Sequence, residues 1–417
     1  MNRRRDFYAI SGNVAYAVGQ MAMLLAFSRL GTLAELGLYT FALAVTAPIQ
    51  LGFGMRLRSV RVVSADRAGP LSVYVIASGV TSLVAIGVSG ALGAFLMDTT
   101  TDRLLFVVLA CAKAFDSMID LTYGELQRLD RFDSVAVSQV LRSVLLVGPT
   151  VAALYYGQGA IGVAIATGLT SLAVLVLWQA PLVRRVAREH RDSTPERPTV
   201  SGVLELTRQA WPLGLSGGIT SLTGTLPRIV AFGTLGATAG GVLAMLTYPA
   251  SVLTLLGNSL GQSVLGPMRA AREASDLDLL RRIAGRQKRL LWAVGTTGML
   301  LLGVAGDAIL AVALPSVEED LTMTALLYLL AACVAAAASI SYYELTSTGS
   351  FTSHPALSLG VLCLAAPALL AGASVAGLNG IAVAMVFYFG VQYVAWTAIS
   401  RRSLLSNSAS RPEEGTT

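Results

Sequence analysis

Apolar runs of about 20 residues recur from one end of this chain to the other, each long enough to cross a hydrocarbon core of about 30 Å as a helix. Only 13% of the 417 residues are charged, where soluble domains carry about a quarter. The chain therefore reads as an all-α polytopic membrane protein. Setting the apolar runs against the charged breaks predicts about twelve transmembrane helices. Six lie near residues 8–29, 36–55, 71–97, 104–126, 134–156 and 159–181, and six near 209–234, 240–264, 290–314, 322–345, 355–376 and 379–400.

Arginine placement orients them. With the N-terminus in the cytoplasm, the inner breaks collect every Lys and Arg except Arg29, Arg103, Lys113, Arg142 and Arg228. The outer breaks hold Arg103 with Glu35, Asp98, Asp102, Glu318, Glu319 and Asp320. Positive charge accumulates on the cytoplasmic side of membrane proteins, so both termini are expected to be cytoplasmic. The net charge of +6 is accounted for by these inner loops and calls for no nucleic-acid partner. The Arg3-Arg4-Arg5 run resembles the start of a secretory signal, but no small-residue cleavage site follows, and the first helix is expected to remain.

The stretch from Arg29 to Asp66 shows the pattern at its clearest. An Arg ends one apolar run, Leu30-Gly31 turns the chain, Pro48 interrupts the next run, and Arg56, Arg58 and Arg61 mark the cytoplasmic exit. A faint echo follows Arg228, with Leu235-Gly236, Gly241, Tyr248 and Pro249. Together with the six-plus-six count, it predicts two pseudo-symmetric six-helix lobes, residues 1–183 and 209–402. Residues 184–208, with Pro195 and Pro198, form the cytoplasmic linker, and 403–417 a disordered cytoplasmic tail. Within the loop from Arg269 to Arg289, Leu277, Leu280 and Ile283 recur at helical spacing among arginines, which suits a short helix lying on an anionic membrane surface.

Four cations remain inside spans. A mid-membrane Arg or Lys costs about 2.5–3.5 kcal/mol on insertion scales, so each requires a reason. Arg29 and Arg228 lie toward outer helix ends, where snorkelling to the interface is one reading and a cavity contact another. Lys113 and Arg142 sit about 15 Å from their nearer helix ends, too deep to snorkel. Lys113, Asp116 and Asp120 fall on one helical face, and Arg142 on the next helix is placed to take the second acid. This is either a structural ion-pair network or the wall of a watery cavity, and the two are compatible. Gln20 at mid-span and Asn13 toward the cytoplasmic end of the same helix read as interhelical polar contacts. Glu344, beside Tyr342 and Tyr343 at a cytoplasmic helix end, reads as an interfacial belt or a gate. Pro212, Pro227 and the glycines between them make the seventh span bendable.

Cys111, Cys333 and Cys363 each lie within apolar runs and read as small buried hydrophobes; no metal spacing links them or the two histidines. The sequence carries no phosphate-binding loop, no Ser/His/Asp set and no cofactor motif, so an enzyme is not expected, and any work done must draw on gradients or on the substrate's own free energy.

Gly12-Asn13 with Tyr16 and Gln20, then Leu30-Gly31 with Gly37 and Tyr39, then residues 42–66, 116–142 and 226–249, resemble the oligosaccharide and polysaccharide flippases (Wzx-like, within the MATE/MOP superfamily). The resemblance implies two six-helix bundles around a cavity open to one side at a time, in a bacterial inner or plasma membrane. The implied cargo is a polyprenyl-diphosphate-linked oligosaccharide, moved to the outer leaflet for cell-surface polysaccharide assembly. Lys113, Arg142, Arg29, Arg228, Gln20 and Asn13 then become substrate contacts, and Asp116, Asp120 and Glu344 ion-coupling or gating groups, with H+ or Na+ as coupling ion. Membrane lipids and polysaccharide assembly proteins are the implied partners. The rival within the superfamily is a MATE-type drug or cation antiporter, which needs an acidic pocket; the basic intramembrane residues argue against it.

Overall fold

The computed structural model describes residues 3–63, 70–129, 131–189, 199–274, 276–317, 319–347 and 353–409, and all regular structure among them is helical. Ser64, Ala65, Asp66, Arg67, His190, Arg191, Pro195, Arg197, Pro198, Glu318 and Arg411 lie outside that set. The helices are α1 (Arg3–Leu30), α2 (Leu33–Phe53), α3 (Leu57–Val63), α4 (Leu71–Leu96), α5 (Thr100–Arg128) and α6 (Phe132–Tyr155). Next come α7 (Gly159–Ala173), continued through a π-helical turn (Val174–Gln179) into α8 (Ala180–Glu189), and then α9 (Val200–Leu235), α10 (Ala237–Glu273), α11 (Leu277–Ala313), α12 (Thr322–Ser347) and α13 (Ser353–Ala409).

Among the described residues, eight helical stretches are long and apolar enough to cross a membrane, fewer than the twelve expected. One of the eight, Ala356–Ser400, spans 45 residues and bends at Ala376 and Gly377 (φ 56°), where a break between two spans was expected. The helices outside the eight include α5, whose charged side chains lower its apolarity. Where helices begin, local chemistry explains it. At the start of α2 the Glu35 N–H donates to the Thr32 hydroxyl and the Thr32 N–H donates back to the Glu35 carboxylate, both at 3.2 Å, a reciprocal cap. At α12 the Thr322 N–H donates to Asp320 at 2.8 Å, and this bond lowers the Asp320 pKa.

Residues 1–244 and 245–417 form two compact units. In the first, small residues bring helices together. Gly12 and Gly19 of α1 lie against Gln139 and Ser143 of α6 with no room for a methyl. A longer seam joins α2 to α9. Along it Phe41 stacks on Phe232 with centroids 4.2 Å apart, and beyond its end Gly37 meets the backbone of Ala237, the first residue of α10. Pro48 has no N–H to give the Ala44 carbonyl; the Thr225 hydroxyl donates to that oxygen instead, at 3.0 Å. Further along, Gly214 and Gly218 receive the backbone of Gly52. The α9 glycines at 214 and 218 thus serve close packing, and α9 runs as one helix through both prolines.

In the second unit, the alanine-rich face of α12 is buried with Leu253, Met268, Leu291, Cys333 and Ile340. Two expectations are corrected here. Leu277, Leu280 and Ile283 belong to no separate surface helix: they open the 37-residue α11, and Leu280 is fully buried against Ala271 of α10. The apolar stripe faces a neighbouring helix because α10 itself extends to Glu273. Of the cysteines, Cys333 is buried, Cys111 half-buried and Cys363 exposed; an apolar run does not distinguish a protein-facing from a lipid-facing side.

The seam sets a comparison. Gly37→Ala would drive a methyl into the Ala237 carbonyl, whereas at Gly224 nothing lies within 4 Å. Thermal unfolding in detergent should show Gly37→Ala clearly destabilised and Gly224→Ala unchanged or stabilised by about 0.5–1 kcal/mol. Equal effects at the two sites would contradict the packing described.

Candidate functional site

The deep charges of the first unit meet on α5. The Lys113 ammonium lies 2.9 Å from one oxygen of Asp116. Arg142 of α6 donates to the other oxygen, which also accepts from the Ser171 hydroxyl of α7 at 2.8 Å. Arg142 reaches Ser171 as well, at 3.2 Å, and its guanidinium lies 5.3 Å from the ring centre of Tyr16 on α1. Side-chain exposure is 21% for Lys113, 15% for Asp116 and 11% for Arg142. Four helices therefore converge on one carboxylate, and its two cations outnumber it.

The spacing of Lys113, Asp116 and Asp120 on one face is met, but the pairing differs from that expected. Arg142 does not take Asp120. It shares Asp116 with Lys113, while Asp120 accepts from Arg58 of α3 at 2.6 Å. Arg58 also donates to Gln127 at 3.2 Å. One turn further, Glu125 is buried between Arg61 at 2.6 Å and Arg128 at 2.8 Å, and Arg61 lies over the Tyr74 ring at 4.9 Å. Asp116, Asp120 and Glu125 thus form a ladder about 13 Å long on α5. This corrects the reading of Arg58 and Arg61 as loop charges: α3 folds back and delivers both to α5.

The other sequence-predicted residues divide. The Gln139 amide donates to Asn13 at 3.0 Å, tying α1 to α6 one turn from Arg142. Gln20 lies half-buried one turn beyond Tyr16 on α1. Arg29 is exposed at the end of α1, about 20 Å along the helix from Tyr16, and Arg228 is half-buried on α9 beside Pro227. Glu344 belongs to the second unit, where Lys288 donates to it at 3.2 Å and lies 5.5 Å from the ring centre of Tyr393.

Sequence reasoning missed several partners. Ser171 and Tyr16 carry no charge to mark them, and Arg58 resembled every other exit arginine. Gln179, fully buried in the π-helical turn, donates to Ser138 and accepts from Thr122 at 3.1 Å; Ser138 in turn bonds Tyr123 at 3.1 Å. That turn breaks the regular helix ladder, and π turns of this kind recur at functional sites. The arrangement can hold an anion: two cations, the Ser171 hydroxyl and the Tyr16 ring face gather about a single acid.

The fold is that of MOP-superfamily transporters. It matches an inward-facing multidrug resistance MATE family transporter over 95% of this chain and 96% of the other, with TM-score 0.64 and 13% identity. It also matches a MOP superfamily transporter of Pyrococcus furiosus, noted for the reverse polarity of its binding pocket, over 97% and 95%, with TM-score 0.64 and 16% identity. In sequence, residues 6–271 match the family "Polysaccharide biosynthesis protein". The capsular polysaccharide biosynthesis protein CapF of Staphylococcus aureus is 21% identical over 306 residues, 73% of this chain and 75% of CapF. The chain belongs to the polysaccharide biosynthesis protein family, and its helical fold is the one seen in the MATE-type structures above.

Removing one partner of a buried ion pair leaves an uncompensated charge and costs about 3–5 kcal/mol. Asp116→Asn, which strands two cations, should lower thermal stability by that order. Lys113→Gln and Arg142→Gln, which each leave Asp116 a partner, should cost less. A milder effect from Asp116→Asn than from either cation variant would contradict the shared-carboxylate geometry.

Proposed function

We propose that this chain moves a polyprenyl-diphosphate-linked oligosaccharide from the cytoplasmic to the outer leaflet of a bacterial inner membrane, by alternating access, for cell-surface polysaccharide assembly. The observation that carries the reading is the buried cluster in which Lys113 and Arg142 share the single acid Asp116. A cluster with surplus positive charge attracts a phosphate-bearing substrate through charge-assisted hydrogen bonds. Membership in a polysaccharide biosynthesis family supports a glycan cargo. The tail of such a lipid stays in the bilayer while its polar head crosses.

On this reading the chain crosses the membrane twelve times as two six-helix lobes, residues 1–183 and 209–402, with both termini cytoplasmic. Lys113 and Arg142 make the central substrate contacts, with Arg29, Arg228, Gln20 and Asn13 along the path. Asp120, half-exposed and held by Arg58, is the better-placed of the two α5 acids for ion coupling, and Glu344 gates the second unit. With the cell interior negative, outward movement of each negative charge is favoured by about 2.3 kcal/mol per 100 mV.

The MATE match keeps a drug or cation antiporter as a second reading, but a cation substrate would meet two basic side chains at Asp116. In proteoliposomes, the Lys113→Gln/Arg142→Gln variant should lose transport of lipid-linked oligosaccharide, and an inside-negative potential should accelerate the wild type. Retained glycan transport in the double variant, or cation export by the wild type, would contradict the proposal.

A further inference from the structure

Helix α11 is 37 residues long, about 55 Å, so much of it stands clear of a hydrocarbon core of about 30 Å. Its apolar stretch begins at Leu290. The residues before it, 277–289, carry five basic side chains and one acid, Asp278. One side of this segment is taken up by its own unit. Leu280 and Ala284 are buried, Ile283 packs beside Ala284, and Lys288 donates to Glu344 at 3.2 Å. The other side is basic and open. Arg281, Arg282 and Arg289 line a basin of about 610 Å³ together with Asp278 and Gly285.

The floor of the basin is bare helix. A β-carbon at Gly285 would meet nothing within 4 Å, and the Arg289 Nε donates to the Gly285 carbonyl at 3.3 Å. In the wall, Asp278 lies 3.8 Å from Arg281, a loose pair between exposed side chains that contributes little. Three cations therefore face one weakly engaged acid. Arg281 and Arg289 stand about 12 Å apart along the helix, so a head with two phosphates spans the basin better than a head with one. The same side of α11 leads into lipid. Arg281, Gly285, Arg289 and Trp292 follow one stripe at i, i+4, i+8 and i+11. Leu290, Trp292 and Val294 are exposed, as are Leu300, Leu301 and Val304 farther on. In the most apolar stretch of α11, 6% of residues are buried, against 61% in α12. An apolar wall this open faces acyl chains.

We propose that the basin binds the head group of an anionic phospholipid, diphosphatidylglycerol in preference to phosphatidylglycerol, with the acyl chains against Leu290, Trp292 and Val294. The assignment to the inner leaflet rests on the topology proposed above, in which the arginine-rich end of α11 is cytoplasmic. Each guanidinium offers a planar fork to phosphate oxygens, and basic recesses at the cytoplasmic ends of membrane helices suit such heads. The indole of Trp292 is amphipathic and belongs at head-group level, where the polar and apolar parts of the lipid meet. An acidic protein segment would engage the arginines but leave this apolar continuation unused. A lipid seated here braces the segment of α11 from which Lys288 reaches Glu344.

The test uses the full chain in detergent, titrated with defined lipids and read by native mass spectrometry. Diphosphatidylglycerol should bind about tenfold more tightly than phosphatidylcholine, with phosphatidylglycerol between them. Arg282→Gln should weaken diphosphatidylglycerol about fivefold and leave phosphatidylcholine unchanged. Arg286→Gln removes the same charge from the same segment, outside the basin, and should have no such effect. Gly285→Leu keeps every charge but fills the floor, and should weaken the anionic lipids as much as Arg282→Gln does. The open space at Gly285 makes that variant compatible with folding. Equal losses from Arg282→Gln and Arg286→Gln would reduce the basin to a diffuse positive surface and overturn the proposal. Full binding in Gly285→Leu, or no preference for anionic lipid in the wild type, would do the same. A polyglutamate peptide held through Arg282, with lipid binding indifferent to both basin variants, would assign the site to an acidic partner instead. Binding in detergent is read without transport, so failure of this site and failure of the transport reading are separately visible.

Discussion

Asp116 is the point on which the first unit depends. A charge within a membrane protein is tolerated when it is paired and hydrogen-bonded, and this one carboxylate provides that for two cations. Lys113 reaches it from one turn earlier on the same helix, Arg142 from α6, and Ser171 from α7. Tyr16 adds the face of α1 through Arg142. Helices that carry Asn, Gln, Ser and Tyr instead of uninterrupted Leu and Val thus have a common reason to converge. The same surplus of positive charge gives the cluster its chemical meaning, since an anionic head group can offset what Asp116 leaves uncompensated.

A second constraint is steric. The α2–α9 seam is built from backbone approaching backbone at Gly52, Gly214 and Gly218, with a stacked aromatic pair and the Thr225 hydroxyl on the carbonyl freed by Pro48. Small residues matter in membrane helices because lipid is as apolar as the side chains it would exchange with, so close packing carries the association. The seam also places the Gly54–Arg56 turn against α9, from which α3 returns Arg58 and Arg61 to α5. Packing on one face of α2 and ion pairing beyond its end are in this way linked.

Much of this was legible in the residues. Apolar length located the helices to within a few positions over α4 and α6, and a Gly377 break appeared where two spans were expected to part. The i, i+3 relation of Lys113 and Asp116 was visible because helical spacing is local. Partners on other helices were not. Asp120 finds Arg58 only after two residues of left-handed backbone turn α3 back, and no composition signals such a turn in Met55-Arg56. The stripe of Leu277, Leu280 and Ile283 was correctly helical, but periodicity shows that a face is apolar without showing what covers it. Gly214 and Gly218 of α9 were read as freedom to bend; their contacts make them surfaces for close approach, a distinction that depends on the opposing helix.

The transport claim has a direct test in living cells. In a host lacking this protein, mass spectrometry of membrane lipids, with and without a glycosidase that cannot enter the cell, measures both the amount and the sidedness of lipid-linked oligosaccharide. Accumulation of a polyprenyl-diphosphate-linked glycan protected from the enzyme, reversed by the wild-type chain, is the expected result. An unchanged pool, exposed to the enzyme as in the parent strain, would contradict it.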